Sequence, residues 1–113
     1  MIISLFCAFL AGHAIADYPL QGDFLSAAKN RQKPIPGVPW YQAMGAHSVI
    51  HGAFVGLICQ LVAGLWWIGI LEAMAHFVID DMKCAGKLTF NQDQALHIFC
   101  KILWILLIFL LYI

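Results

Sequence analysis

The chain has 113 residues, of which 63% are hydrophobic and 11% charged, with a mean hydropathy of +0.85 and a formal net charge of zero. Soluble domains carry roughly 25% charged residues, so this composition excludes an ordinary soluble domain and places the chain in the membrane class. The absence of net positive charge gives no footing for a nucleic-acid partner.

The first predicted helix covers about 1–17. At roughly 1.5 Å per residue it reaches about 25 Å, short but adequate for a hydrocarbon core of about 30 Å. A signal-peptide reading rests on the apolar run from Ile2 to Leu10 and the small residues Ala14 and Ala16. No Lys or Arg precedes that run, which favours an uncleaved helix. Pro19 ends or bends the helix. A polar connection, 20–39, follows. Within it Asp23 is placed to cap a short amphipathic helix over 24–31, and the proline-rich 33–39 reads as irregular.

The apolar stretch from Tyr41 to Ile79 is too long for one span and suits two. Ala63-Gly64 is the expected turn, and Trp66 and Trp67 suit a membrane interface. The second predicted helix is therefore 41–63 and the third 65–82. A loop over 83–91 leads to a fourth helix, 92–113. The expected fold is an all-α bundle of four transmembrane helices forming one domain over 1–113. Lys29, Arg31, Lys33, Lys83 and Lys87 all lie in the first and third connections. The excess of positive charge in cytoplasmic loops puts both connections in the cytoplasm and both termini outside, in a bacterial inner membrane. Cys7, Cys59, Cys84 and Cys100 form no Cys-x-x-Cys pair and read as small hydrophobes.

The ionisable residues carry the functional signal. The four helices hold, in order, His13 and Asp17; His47 and His51; Glu72, His76 and Asp80; and Asp93, His97 and Lys101. Each neighbour is four residues from the next, so each set shares one helix face. Helices running toward the cytoplasm read His then Asp; the fourth, running away, reads Asp then His. In space this predicts one ring of carboxylates near the cytoplasmic edge and one ring of imidazoles a turn deeper. His13 to Asp17 also parallels His76 to Asp80, as expected of two pseudo-repeated hairpins.

Three aspartates in low dielectric repel one another and lose their hydration, so they require protons or a cation. Imidazole and carboxylate are ligands for a divalent transition metal, zinc foremost, with manganese or iron as alternatives. The candidate ligands are His13, Asp17, His47, His51, His76, Asp80, Asp93 and His97, enough for two ions, or for one ion with hydrogen-bonded support. Asp17, Asp80 or Asp93, if not ligating, would serve as general base. Gln21, Lys29, Lys83 and Gln94 belong at the cytoplasmic mouth, where a lysine would hold an anionic group. Glu72 and Lys101, deeper still, are expected to pair. Asp81 reads as a solvated neighbour of Asp80.

These motifs resemble a known family. The run His13-Ala-Ile-Ala-Asp17-Tyr-Pro-Leu-Gln21, then Lys29 and His47, then His76-Phe-Val-Ile-Asp80-Asp-Met-Lys83, then Phe90-Asn-Gln-Asp93-Gln94-Ala-Leu-His97, is similar to small bacterial and phage membrane proteins grouped as domain of unknown function 3307. The resemblance spans nearly the whole chain and implies signature roles for those residues, but no activity. His51, Glu72 and Lys101 join the set on spacing alone.

Three functions fit. The first is a metal-dependent hydrolase acting at headgroup depth on a lipid-like or phosphorylated substrate, with Lys83 and Gln94 assisting catalysis. The second is a carrier of metal ions or protons, disfavoured because the outer halves of the helices are almost wholly apolar. The third is a non-catalytic membrane module held together by its polar cluster, its basic loop binding anionic lipid or a partner.

Overall fold

The computed structural model describes residues 1–112. The described residues form five helices in the order α1 (Ile2–Asp17), α2 (Gly22–Ala28), α3 (Trp40–Ala63), α4 (Ile68–Cys84) and α5 (Phe90–Tyr112), and no strand. Helices α3 and α5 are long and apolar enough to cross a membrane, and α1 with α2 passes the same test as a pair bent by 84°. Large apolar side chains cover the outside: Ile3 is 79% and Leu61 77% exposed. In water such a surface would be an aggregation hazard; it suits a protein surrounded by lipid tails.

Local chemistry sets the boundaries. The bend after α1 comes at Pro19, which has no N–H to extend the helix. Helix α3 starts after Pro39 and stops at Gly64, whose φ of 70° is left-handed. There the N–H of Leu65 reaches the carbonyl of Cys59 and that of Gly64 reaches Gln60, so the last turn of α3 keeps its hydrogen bonds. Residues 65–67 form a tight turn, with Ile68 N–H bonded to Leu65 O at 3.1 Å. Helix α4 therefore begins at Ile68, three residues later than the sequence suggests. Helix α5 begins earlier than expected, at Phe90. Thr89 Oγ1 accepts from Gln92 N–H (3.1 Å) while Gln92 Oε1 accepts from Thr89 N–H (3.0 Å), a reciprocal cap that satisfies two free donors.

The four long helices pack in a closed circuit: α1 on α3, α3 on α4, α4 on α5, and α5 back on α1. The α3–α4 crossing is the tightest. Gly52 and Gly56, one turn apart on α3, face Gly69 on α4, and a Cβ built at Gly52 or Gly69 would collide with the other's carbonyl oxygen. In a lipid environment close backbone approach through small residues is a main source of helix–helix attraction.

The interior divides along its length. Leu5, Phe9, Val55, Cys59, Ile68, Ile105 and Ile108 form an apolar core at the end that holds the α3–α4 turn and both described termini. The other end, below α2 and the 85–89 loop, is filled with buried polar side chains.

Candidate metal centre

All five histidines meet in one continuous cluster. The rings of His51 and His76 stack at a centroid distance of 3.6 Å, and His76 stacks on His97 at 4.3 Å. His47 packs on His51 (4.7 Å) and His76 (4.9 Å), and His13 packs on His51 (4.9 Å) and His97 (5.2 Å). Each ring comes from a buried helix face, so the four-residue spacing seen in sequence is what aims them at one point.

Asp17 is the hub of the carboxylates. Its Oδ1 lies 2.9 Å from His51 Nε2 and 3.3 Å from His47 Nε2, and its Oδ2 lies 3.1 Å from His13 Nε2. Asp80 faces His47 at 3.5 Å and His76 at 3.7 Å, so His47 sits between two carboxylates. Asp93 Oδ1 lies 3.3 Å from His97 Nε2. Gln94 ties the cluster together: its Nε2 donates to Asp93 Oδ2 (3.1 Å) and Asp17 Oδ2 (3.4 Å), and its Oε1 lies 3.3 Å from His13 Nε2.

The sequence places Lys29 at the headgroups. The structure instead buries it to 4% exposure, where Nζ donates to Asp80 Oδ2 and to Gln21 Oε1, both at 2.5 Å. The cause is the bend at Pro19, which folds α2 back over the polar end of the bundle. Asp81 likewise is not merely solvated: its Oδ2 pairs with Arg31 at 2.8 Å, and Arg31 also lies over the Trp40 ring at 5.1 Å. Together these contacts latch the first connection onto α3 and α4. Lys83 remains at the mouth with Nζ over the Phe90 ring, 5.2 Å from its centre. Below the histidines, Lys101 forms an ion pair with Glu72, whose other oxygen accepts from Trp104 Nε1 at 2.6 Å.

One donor set is compact enough for a single ion. Asp17, His47, His51 and His76 each offer one ligand atom, and the four atoms lie within 4.8 Å of one another. With bonds of 2.0–2.1 Å, ligand atoms around a tetrahedral zinc are roughly 3.3 Å apart. The 2.9 and 3.3 Å separations from Asp17 Oδ1 to His51 and His47 are already near that value. His13, Asp80, Asp93 and His97 surround this set rather than complete it.

Two further observations bear on a cation. Among the described residues, neither ring nitrogen of buried His47 or His76 makes a directed hydrogen bond, nor does Asp93 Oδ1, although the nearest oppositely charged atoms lie 3.3–3.9 Å from His47 Nε2, both His76 nitrogens and Asp93 Oδ1. An orphaned polar atom in a dry interior costs about 1–3 kcal/mol, so four such nitrogens in one cluster need an explanation. Charge is the second. The polar interior holds four carboxylates (Asp17, Glu72, Asp80, Asp93) against two ammonium groups (Lys29, Lys101), which leaves two negative charges uncompensated when the imidazoles are neutral. Two imidazolium rings would cancel them but would repel across the stacked contacts; one divalent ion cancels them without that repulsion.

A narrow cleft of about 60 Å³ opens from the polar end toward this cluster, lined by Asp93, Gln94, His97, Lys83, Tyr18 and Asp17 among others. The sequence reading missed the triple role of Gln94, the folding-back of Lys29 and the glycine contact of α3 with α4. Only the last had a local signal, the small residues at Gly52 and Gly56.

No curated protein and no solved structure matches this chain. The family model described as "Protein of unknown function (DUF3307)" matches residues 5–113, nearly the full length, and the chain belongs to that family.

Proposed function

We propose that this protein is a four-span inner-membrane protein, built from two related hairpins, that holds one divalent metal, zinc foremost, between Asp17, His47, His51 and His76 near the cytoplasmic face and acts as a metal-dependent hydrolase. The observation that carries the metal reading is the pair of buried imidazoles, His47 and His76, which make no directed hydrogen bond although carboxylate oxygens lie 3.3–3.9 Å away, beside two uncompensated carboxylate charges. Placement near the cytoplasm follows from the lysine-bearing connections, which lie at the polar end. Helices α1 and α4 are only 16 and 17 residues long, about 24–26 Å at roughly 1.5 Å per residue; local thinning of the bilayer accommodates such lengths.

A divalent ion at this site supplies a bound water acid enough to give hydroxide near neutral pH. The chain's own residues divide the remaining work. Asp80 is occupied by Lys29, and Asp17 belongs to the donor set, which leaves Asp93 as the carboxylate for proton transfer. Its Oδ1 lies 3.3 Å from His97 Nε2 without a directed hydrogen bond, and the residue lines the cleft. Gln94 positions Asp93 and Asp17 through its amide nitrogen. Lys83 stands at the mouth, where an anionic substrate would enter. The carrier reading loses support because the apolar core of Leu5, Phe9, Val55, Ile68 and Ile108 fills the other half of the bundle.

The test is metal content by mass spectrometry, on protein purified in detergent without a histidine tag. About one equivalent of a transition metal is expected, lost in His47→Ala and His76→Ala. Folded, metal-free protein prepared without chelators would refute the metal centre and make the cluster a hydrogen-bonded core, as in a non-catalytic module.

A further inference from the structure

We infer that the cleft is a binding site for a phosphate group carried on an apolar tail, with Lys83 as the residue that selects the anion. The inference rests on the metal reading above and names the substrate class of that site.

Lys29 is spent on Asp80 and Gln21, and Arg31 on Asp81. Lys83 lines the cleft and, among the described residues, has no carboxylate within ion-pair distance; its ammonium rests on the face of Phe90. A partly buried ammonium held on an aromatic ring, beside an opening, is a cation with its anion still to come.

The cleft's walls say when that anion can enter. Asp17, Asp80 and Asp93 all line it, with only Lys29 and Lys83 as cations. Without a metal the cleft repels an anion. With a divalent ion among Asp17, His47, His51 and His76, the balance would turn positive, and a phosphate on Lys83 would no longer be repelled. Metal and anion affinities are then linked, each raising the other.

The rim says what the anion is attached to. Tyr18 and Phe90 flank the mouth and are 67% and 56% exposed. Both sit at helix ends, Tyr18 just past α1 and Phe90 at the start of α5, where amphipathic rings meet headgroups. A ligand with its phosphate on Lys83 would pass its attached chain between these rings toward the lipid. Inorganic phosphate would leave the aromatic rim unused.

The experiment measures binding of dodecyl phosphate and of inorganic phosphate, by calorimetry, to the intact protein in a neutral maltoside detergent. It compares the wild type, Lys83→Gln and Lys83→Arg, each before and after chelation, with metal content read separately. Dodecyl phosphate should bind the wild type roughly tenfold to a hundredfold more tightly than it binds Lys83→Gln, the worth of one charge-assisted hydrogen bond. Lys83→Arg should restore most of the difference, and both variants should keep their metal, since Lys83 touches none of the donors. Equal binding by wild type and Lys83→Gln would overturn the inference. Inorganic phosphate binding as tightly as dodecyl phosphate would overturn the amphiphile and make free phosphate the ligand. Lys83-dependent binding that is indifferent to chelation, in protein without metal, would refute the metal centre and the linkage between metal and anion, and leave Lys83 alone as the anion's partner.

Discussion

A buried cation is needed only where uncompensated charge is expensive, and the Glu72–Lys101 pair measures that cost in this interior directly. Both side chains are 1% exposed, and they face each other from α4 and α5 just below His76. Replacing Lys101 with Met removes the ammonium but keeps the stem that packs between the helices. Glu72 is left with one donor, Trp104 Nε1, for a full negative charge. Breaking one side of a buried ion pair costs about 3–5 kcal/mol, because the surviving charge remains desolvated. The single variant Lys101→Met should lose stability in that range. The double variant Glu72→Gln with Lys101→Met should regain most of it, since a neutral amide can still accept from Trp104 and leaves no charge behind. The assay is reversible unfolding in mixed micelles with increasing sodium dodecyl sulfate, followed by tryptophan fluorescence and circular dichroism. A loss below about 1 kcal/mol in the single variant, or no recovery in the double, would mean that water reaches this depth. The two excess carboxylate charges among the histidines would then need no cation, and the metal proposal would lose its electrostatic basis.

Three further outcomes are expected. Chelating the metal from wild-type protein should lower unfolding stability by about 2.7 kcal/mol relative to protein held at a hundred times the metal's dissociation constant, and should change nothing in a His47→Ala, His76→Ala background; equal stability with and without chelator would count against a bound ion. Gly69→Ala should weaken the α3–α4 contact by about 1–3 kcal/mol, because its methyl group meets the backbone of Gly52 and Gly56, whereas Gly45→Ala, with nothing within 4 Å, should be neutral or slightly stabilising in the same unfolding assay. Thr89→Ala should cost about 1 kcal/mol by removing the cap of α5, with metal content unchanged; loss of metal in that variant would show that the helix start, not only its His97 face, controls the site.

Much of the architecture was legible because helices obey local rules. Apolar runs of span length, the break at Pro19 and the glycine at position 64 place the long helices to within a few residues. The main boundary errors came from short-range hydrogen bonds that composition does not reveal: the reciprocal cap of Thr89 and Gln92 starts α5 early, and the 65–67 turn starts α4 late. The four-residue spacing of His and Asp was equally readable, since 3.6 residues per turn forces such pairs onto one face whatever the rest of the chain does.

Partner choice across helices was not readable, because it depends on how far each helix is rotated and how deeply the connections fold in. Sequence could name eight candidate ligands; packing alone brings Asp17, His47, His51 and His76 into one compact set and leaves His13, Asp80, Asp93 and His97 around it. Lys29 shows the same limit. By sequence it is one more basic residue in a cytoplasmic loop, and only the 84° bend between α1 and α2 carries it down onto Asp80. Inward faces and the polar end of the bundle can be read from the chain alone, because backbone periodicity and hydropathy are local. Which carboxylates are already neutralised, which cation remains free and which imidazoles make no directed hydrogen bond depend on packing, because those are properties of contacts between segments far apart in the chain.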